Sequence, residues 1–248
     1  MNQTDLVRLK TILDSSRRTV FFTGAGISVP SGIPDFRSAD GLYMQREFDG
    51  ARPEEIISHS FFYAHPATFY RFYREKMLYP DARPNAAHRW IASLQSPDRR
   101  VTVVTQNIDG FHTEAGAAHV CELHGTIHRN LCPVCGACYS LDELLSALDE
   151  NGIPRCPHDG AMLKPDVTLY EEALRSETVE DAVDAIAAAD TMVIIGTSLV
   201  VYPAASFVRY FRGEHLILIN KSETSYDSMA EMAFYEDVID VVEGLSAL

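Results

Sequence analysis

The sequence has no apolar run of membrane-spanning length, no internal repeat, no low-complexity segment and no concentration of basic residues. The first absence excludes a transmembrane helix, and the next two exclude a solenoid or array and a disordered tract. The last, with 21 Lys and Arg against 35 Asp and Glu and a net charge of −14, opposes binding to a phosphate backbone. Met1-Asn2-Gln3-Thr4-Asp5 runs straight into an amphipathic pattern, so neither secretion nor membrane insertion is expected and the cytoplasm is the expected address. Cysteine is scarce and odd in number. Of the five, Cys132, Cys135 and Cys138 fall close together, which in a reducing compartment reads as a metal site before disulfides, while Cys121 stands in an apolar stretch as a buried residue.

What is present is a hydrophobic fraction of 46% in 248 residues, enough for a sizeable core. Four short apolar runs read as strands buried on both faces: Thr19 to Thr23, Val101 to Thr105, Met192 to Ile195 and Leu216 to Ile219. Helical spacing separates them, at Val179, Ala182, Val183 and Ile186, and again at Ala204, Phe207, Val208 and Phe211. Alternating strand and helix predicts an α/β fold with a Rossmann-like, doubly wound parallel sheet. Two stretches break the alternation. An aromatic-rich segment with Phe61, Phe62, Phe69, Tyr70, Phe72 and Tyr73 predicts a helical insertion over 38–79, and the cysteine cluster marks a second insertion over 129–164. The expected sheet domain is then 1–37, 80–128 and 165–248, with the insertions forming a smaller lobe. Ligands of such sheets bind at the carboxyl ends of the strands, and pockets form where lobes meet.

The chemistry-bearing residues gather at those ends. Gly24-Ala25-Gly26-Ile27-Ser28 follows the first strand, with glycines that allow close approach to a phosphate. The dinucleotide fingerprint asks for a third glycine at position 29, where Val29 stands, which disfavours a hydride-transferring dehydrogenase. Gly32-Ile33-Pro34-Asp35-Phe36-Arg37 packs turn formers, a ring and a cation together, and Thr105-Gln106-Asn107-Ile108-Asp109 ends the second strand. Glu122-Leu123-His124-Gly125 offers one histidine, and a lone histidine is more often structural than catalytic.

The ordered set of GAGIS (24–28), GIPDFR (32–37), TQNID (105–109), ELHG (122–125), KPDV (164–167), GTSLVVYPA (196–204) and Ile219-Asn220 resembles the sirtuins, of bacterial type, over nearly the whole chain. The resemblance implies an NAD-dependent protein-lysine deacetylase. Its pyrophosphate loop would comprise Gly24, Ala25, Gly26 and Val29, and Phe36 and Arg37 would lie on a loop closing over NAD. Ile33, Asn107, Ile108 and Asp109 would form the nicotinamide pocket, with Gln106 and His124 near the adjoining ribose. Gly196, Thr197 and Ser198 would meet phosphate or ribose, and Asn220 and Val238 the adenosine. The implied reaction begins with attack of the acyl-lysine amide oxygen on the ribose C1′ as nicotinamide leaves. His124 is the implied general base, freeing a ribose hydroxyl so that the acyl group passes to ADP-ribose. The acylated peptide would add as a strand beside Val167 to Glu172, with Phe36, Val167, Thr168, Tyr170 and Val200 on the acyl-lysine side.

Three departures from the family accompany the match. Val167-Thr168-Leu169-Tyr170-Glu171-Glu172 stands where V-V-W-F-G-E is usual, so a hydroxyl enters the tunnel wall and a glycine is lost. Tyr70-x-x-Tyr73 stands where succinyl-preferring members carry Tyr-x-x-Arg, and Arg74 next to it is expected to point off that face, which predicts preference for acetyl-lysine. The structural zinc site implied by the family usually has a second C-x-x-C, but this chain has Cys156-Pro157-His158-Asp159. The expected ligands are Cys132, Cys135, Cys156 and Asp159, with Cys138 or His158 able to substitute and a decayed, metal-free site as the opposing reading. A related ADP-ribosyltransferase or NAD glycohydrolase, and a zinc-ribbon module for nucleic acid, are the competing functions.

Overall fold

A computed structural model describes residues 2–36, 41 and 47–248. Among them the strands are β1 (Arg18–Thr23), β2 (Arg100–Thr105), β3 (Val120–Glu122), β4 (Gly125–Leu131), β5 (Cys138–Tyr139), β6 (Lys164–Val167), β7 (Thr191–Ile195), β8 (His215–Ile219) and β9 (Met232–Phe234). The α-helices are α1 (Gln3–Ser15), α2 (Pro53–Ile56), α3 (His59–Ala64), α4 (Pro66–Phe72), α5 (Ala86–Ser93), α6 (Phe111–Glu114), α7 (Leu141–Ser146), α8 (Ser176–Ala188) and α9 (Val238–Ser246).

The main sheet runs β3-β2-β1-β7-β8-β9, parallel throughout. Each expected strand is present, starting one residue earlier than its apolar run. The edge strands β3 and β9 carried no sequence signal because three residues cannot show a periodicity. Alternate residues of each central strand face opposite layers. Phe21, Val103, Val193, Ile195 and Ile217 pack under α1, α5 and α9, while Val20, Phe22, Val104, Ile194 and Leu218 pack under α8 and the segment Ala204–Tyr210. That two-sided burial is why the runs carry no charged residue and admit only threonine among polar ones. The segment Ala204–Tyr210 is a 3₁₀ helix rather than the expected α-helix.

A second sheet, β5-β4-β6, is antiparallel; β4 runs through position 129 and β6 begins at 164. Its apolar side and the aromatic helices share one core: Ile56, Phe62, Phe69, Tyr70 and Tyr73 pack with Ile127, Leu144, Leu163, Val167 and Leu169. The Tyr70 hydroxyl donates to Leu163 O across the junction. The two insertions are therefore one small lobe, held by burial of apolar area.

The sheet order reverses between β1 and β7, so the loops after these strands diverge there and leave a crevice. They also cross. Gly24 N donates to Ile195 O at 3.0 Å and Gly26 N to Gly196 O at 2.8 Å. The space a Cβ would need at Gly26 is taken by Gly196, 2.7 Å from the Gly196 Cα, so glycine is required at this position for the crossing of two protein loops as well as for the approach to a phosphate expected of it. Gly196 itself has φ +60°, and a Cβ there would stand 2.5 Å from Ile27 N. Gly196→Ala combines left-handed strain with backbone overlap and is expected to cost about 2–5 kcal/mol. Thermal unfolding followed by circular dichroism should show a midpoint lower by roughly 5–15 °C; an unchanged midpoint would contradict the crossing.

Candidate active site

A cavity of about 1660 Å³ opens at the carboxyl ends of β1, β2 and β7 and extends between the sheet and the small lobe. Its floor is a set of short bonds among three loops. Asn107 Nδ2 donates to Gly24 O and Ser28 Oγ, both at 3.2 Å, and Ser28 Oγ donates to Asp109 Oδ2 at 2.7 Å. Phe111 N donates to Asp109 Oδ1 at 3.0 Å. Burial raises the Asp109 carboxyl above its ordinary pKa, and the bonds from Ser28 and Phe111 oppose the rise. Gln106 Nε2 donates to Thr197 Oγ1 at 3.0 Å, tying the second loop to the third.

His124 sits between β3 and β4, with Nδ1 2.8 Å from Gln106 O. A carbonyl only accepts, so Nδ1 carries the proton and the lone pair of the neutral ring is on Nε2. Burial lowers the pKa of this imidazole below its usual value, against the opposing effect of the Gln106 bond, which keeps the ring in its basic form at neutral pH.

All described residues expected to hold the nucleotide line this one cavity: Gly24, Ala25, Gly26, Val29, Ile33 and Phe36 from the first loop; Gln106, Asn107, Ile108 and Asp109 from the second; His124; Gly196, Thr197 and Ser198 from the third; and Asn220 and Val238 after β8 and at the start of α9. Arg37 lies outside the described residues. On the acyl side Val167, Thr168 and Tyr170 line the cavity. Val200 does not: it is 53% exposed, and Val201 and Tyr202 stand on the wall instead. Tyr70 and Tyr73 are likewise absent from the wall, being fully buried in the small-lobe core. Arg74, expected to turn off the face of Tyr70 and Tyr73, points away from their buried side and lines the cavity, and its guanidinium donates to Gly152 O at 2.7 Å. Its backbone belongs to the π-helical turn Tyr73–Met77.

Several supporting residues had no sequence signal, since each lies outside the recognisable blocks or acts through the main chain. His128, on β4, places its ring against Gly110 and donates from Nε2 to Asp109 O at 2.9 Å. Behind the floor, Asn85 Nδ2 donates to Ile27 O at 2.7 Å, and His112 Nε2 is 3.0 Å from Thr23 Oγ1. The rings of His88 and His112 lie 4.8 Å apart, and burial lowers their pKa values to about 4 and about 3. Glu171, at the position of the lost glycine, has φ +74°. That conformation costs a non-glycine residue about 1–3 kcal/mol.

Away from the cavity, the ligand atoms of Cys132, Cys135, Cys156 and Asp159 all lie within 4.8 Å of one another. Two matching turns bring them together. Gly136 N bonds Cys132 O at 3.0 Å and Cys132 N bonds Ala137 O at 2.9 Å; Gly160 N bonds Cys156 O at 2.9 Å and Cys156 N bonds Ala161 O at 2.8 Å. Asp159 thus occupies in the second turn the place of Cys135 in the first. The spacing suits tetrahedral zinc, whose ligand atoms stand roughly 3–4 Å apart at ordinary bond lengths. Cys138 and His158 are not in the group. Cys121 is half-buried in β3, with burial pushing its thiol up to about 11.

A reversed-order parallel sheet, a polar floor at its switch point and an apolar second lobe over it define the class: a nucleotide-binding α/β protein with a second substrate entering between its lobes. A family model described as the Sir2 family matches residues 24–203. The chain is 48% identical over 235 residues to the NAD-dependent protein deacetylase of Clostridium acetobutylicum, covering 95% of each, and 43% identical over 241 residues to that of Staphylococcus aureus strain NCTC 8325, covering 97% of this chain and 98% of the other. It superposes on a Sir2 complex with p53 peptide and NAD+ with a TM-score of 0.81 at 35% identity, over 100% and 97% of the two chains. A Sir2Tm structure bound to a propionylated peptide gives 0.84 at 33% identity, over 100% and 98%. The chain belongs to the Sir2 family, the sirtuins.

Proposed function

We propose that this protein is an NAD-dependent protein-lysine deacetylase that transfers the acyl group to ADP-ribose and releases nicotinamide. The observation that carries this reading is His124: a neutral imidazole, its Nδ1 proton committed to Gln106 O, in the same cavity as the Asn107–Asp109 floor and the Val167–Tyr170 wall. NAD supplies the electrophilic ribose carbon and its leaving group. Gly24, Ala25, Gly26 and Val29, with Thr197 and Ser198, hold the phosphates and a ribose; Ile33, Asn107, Ile108 and Asp109 take the nicotinamide; Asn220 and Val238 flank the adenosine. Phe36, on the cavity wall, helps to exclude water from the nucleotide. Asp109 keeps its carboxylate oriented through Ser28 and the Phe111 amide, so its remaining lone pairs can accept carboxamide N–H groups. His124 Nε2 takes the ribose hydroxyl proton.

Val167, Thr168, Tyr170 and Phe36 receive the acylated peptide, an acetyl-lysine protein or peptide. Its main chain pairs with the 167–172 segment, which gives affinity with little sequence preference. Cys132, Cys135, Cys156 and Asp159 hold a structural zinc, and none of them borders the cavity. The division into 1–37, 80–128 and 165–248 with insertions over 38–79 and 129–164 belongs to the same reading, as does a cytoplasmic address, where thiols stay reduced for metal binding. No helix among the described residues is long and apolar enough to cross a membrane.

The decisive assay is nicotinamide release with and without an acetyl-lysine peptide. Release that depends on the peptide is expected; release without it would mark an NAD glycohydrolase, and none in either case would overturn the proposal. Acetyl-lysine is expected to be processed ahead of succinyl-lysine, because Tyr70 and Tyr73, at the positions of the family's Tyr-x-x-Arg pair, are buried and carry no cation. A higher kcat/KM for the succinyl peptide would refute that assignment.

A further inference from the structure

We propose that Glu171 is a positioning residue for the acylated peptide: held on Ser60, its carboxylate fixes the acyl-side wall of the cavity before substrate arrives. The inference rests on the reading of the 167–172 segment as the peptide's docking strand. Among the described residues the non-glycine positions with positive φ are Asp49, Glu171 and Leu199. Glu171 and Leu199 lie on the two segments that bracket the acyl side of the cavity, one after β6 and the other after β7. Such strain persists only where the surroundings hold it.

At Leu199 the holding is burial, since its side chain is 2% exposed. At Glu171 burial does nothing, because Glu171 and Tyr170 are both exposed. The hold is polar. The left-handed turn carries the Glu171 carboxylate to α3, where Oε2 accepts from Ser60 N at 2.8 Å and Oε1 from Ser60 Oγ at 3.0 Å. On one side of it, Tyr170 N donates to Ile57 O and Tyr170 O accepts from His59 N, both at 3.0 Å. On the other side, Glu172 accepts from Leu169 N at 2.9 Å and Lys164 Nζ at 3.0 Å, and lies 2.9 Å from His59 Nδ1. Thr168 N donates to His124 O at 2.9 Å, so the segment also abuts the proposed base. Ile57, Val167 and Leu169, which these bonds align, all line the cavity.

A glycine would make the same turn without strain but could not bond α3. The glutamate thus exchanges an unstrained turn for a charge-assisted tie between the docking segment and the helical insertion. If cutting the tie leaves the wall in its competent arrangement for about a tenth of the time, apparent peptide affinity falls about tenfold. The nucleotide loops, bonded to one another through Asn107, Ser28 and Gln106, are not touched.

The test compares Glu171→Ala, Glu171→Gly and Glu171→Gln in the full chain. KM is measured for acetyl-lysine peptide and for NAD, and peptide binding is followed separately by fluorescence anisotropy without NAD, so that a folded variant with no turnover still gives an answer. Ala and Gly are expected to raise peptide KM about tenfold with NAD KM unchanged, and Gln, which keeps acceptor oxygen, to stay within about threefold of the parent. A Gly variant with parental peptide KM would show that only turn geometry matters and would overturn the proposal. So would equal losses in both KM values. Ser60→Ala, removing one of the two donors, serves if the Glu171 variants do not fold, and should raise peptide KM in the same selective way; no change would count against the tie. A parental enzyme that neither binds acetyl-lysine peptide nor releases nicotinamide with it would sink the docking reading itself.

Discussion

His124→Ala is expected to reduce deacetylation by about 10²–10⁴-fold, the usual contribution of a placed general base. NAD affinity should stay within about tenfold, because the ring's proposed work is a proton transfer after binding. The pH dependence follows from the same geometry. The imidazole must be neutral to accept a proton, and burial lowers its pKa below the ordinary value. Activity carried by His124 is therefore present at neutral pH and lost as pH falls through that lowered pKa. In kcat/KM, which reports the free enzyme, the acid limb should lie below the pKa of free imidazole. Rapid-equilibrium NAD binding, circular dichroism and a pH profile check the three parts. A folded His124→Ala protein that deacetylates at near the parental rate would remove the base assignment.

The second large effect is expected at the metal. Protein purified without chelator should carry near-stoichiometric zinc by elemental analysis. Asp159→Ala should lower zinc affinity by more than the roughly 10–100-fold that loss of an outer-shell partner costs, because a bonded ligand is removed. Asp159→Cys should retain the metal, since Asp159 and Cys135 occupy equivalent places in two turns of the same backbone pattern. Cys132 and Cys156 are buried in the core that also holds the aromatic helices, so metal removal should loosen the small lobe and lower the unfolding midpoint. Active, folded enzyme with no zinc would end the assignment, and an alanine variant of unchanged affinity would exclude the aspartate from it.

The sequence by itself determined the layered sheet, because strands buried on both faces must be unbroken apolar runs, and Thr19 to Thr23 or Met192 to Ile195 can be little else. It also determined the blocks at the strand ends, since each is contiguous and their order matches one family. Tertiary structure decided what depends on residues far apart in the chain. Only the crossing of two loops shows that Gly26 also answers to Gly196. Only the packed fold shows that Arg74 reaches the cavity while Tyr70 and Tyr73 lie in the core. Val200 reads as a wall residue from its block yet faces solvent, because which side of a loop a side chain takes is set by packing and not by the motif around it. The same holds at Glu171: the sequence shows that a glycine is missing, and only the fold, by setting Ser60 beside that carboxylate, gives the left-handed turn a physical reason to persist.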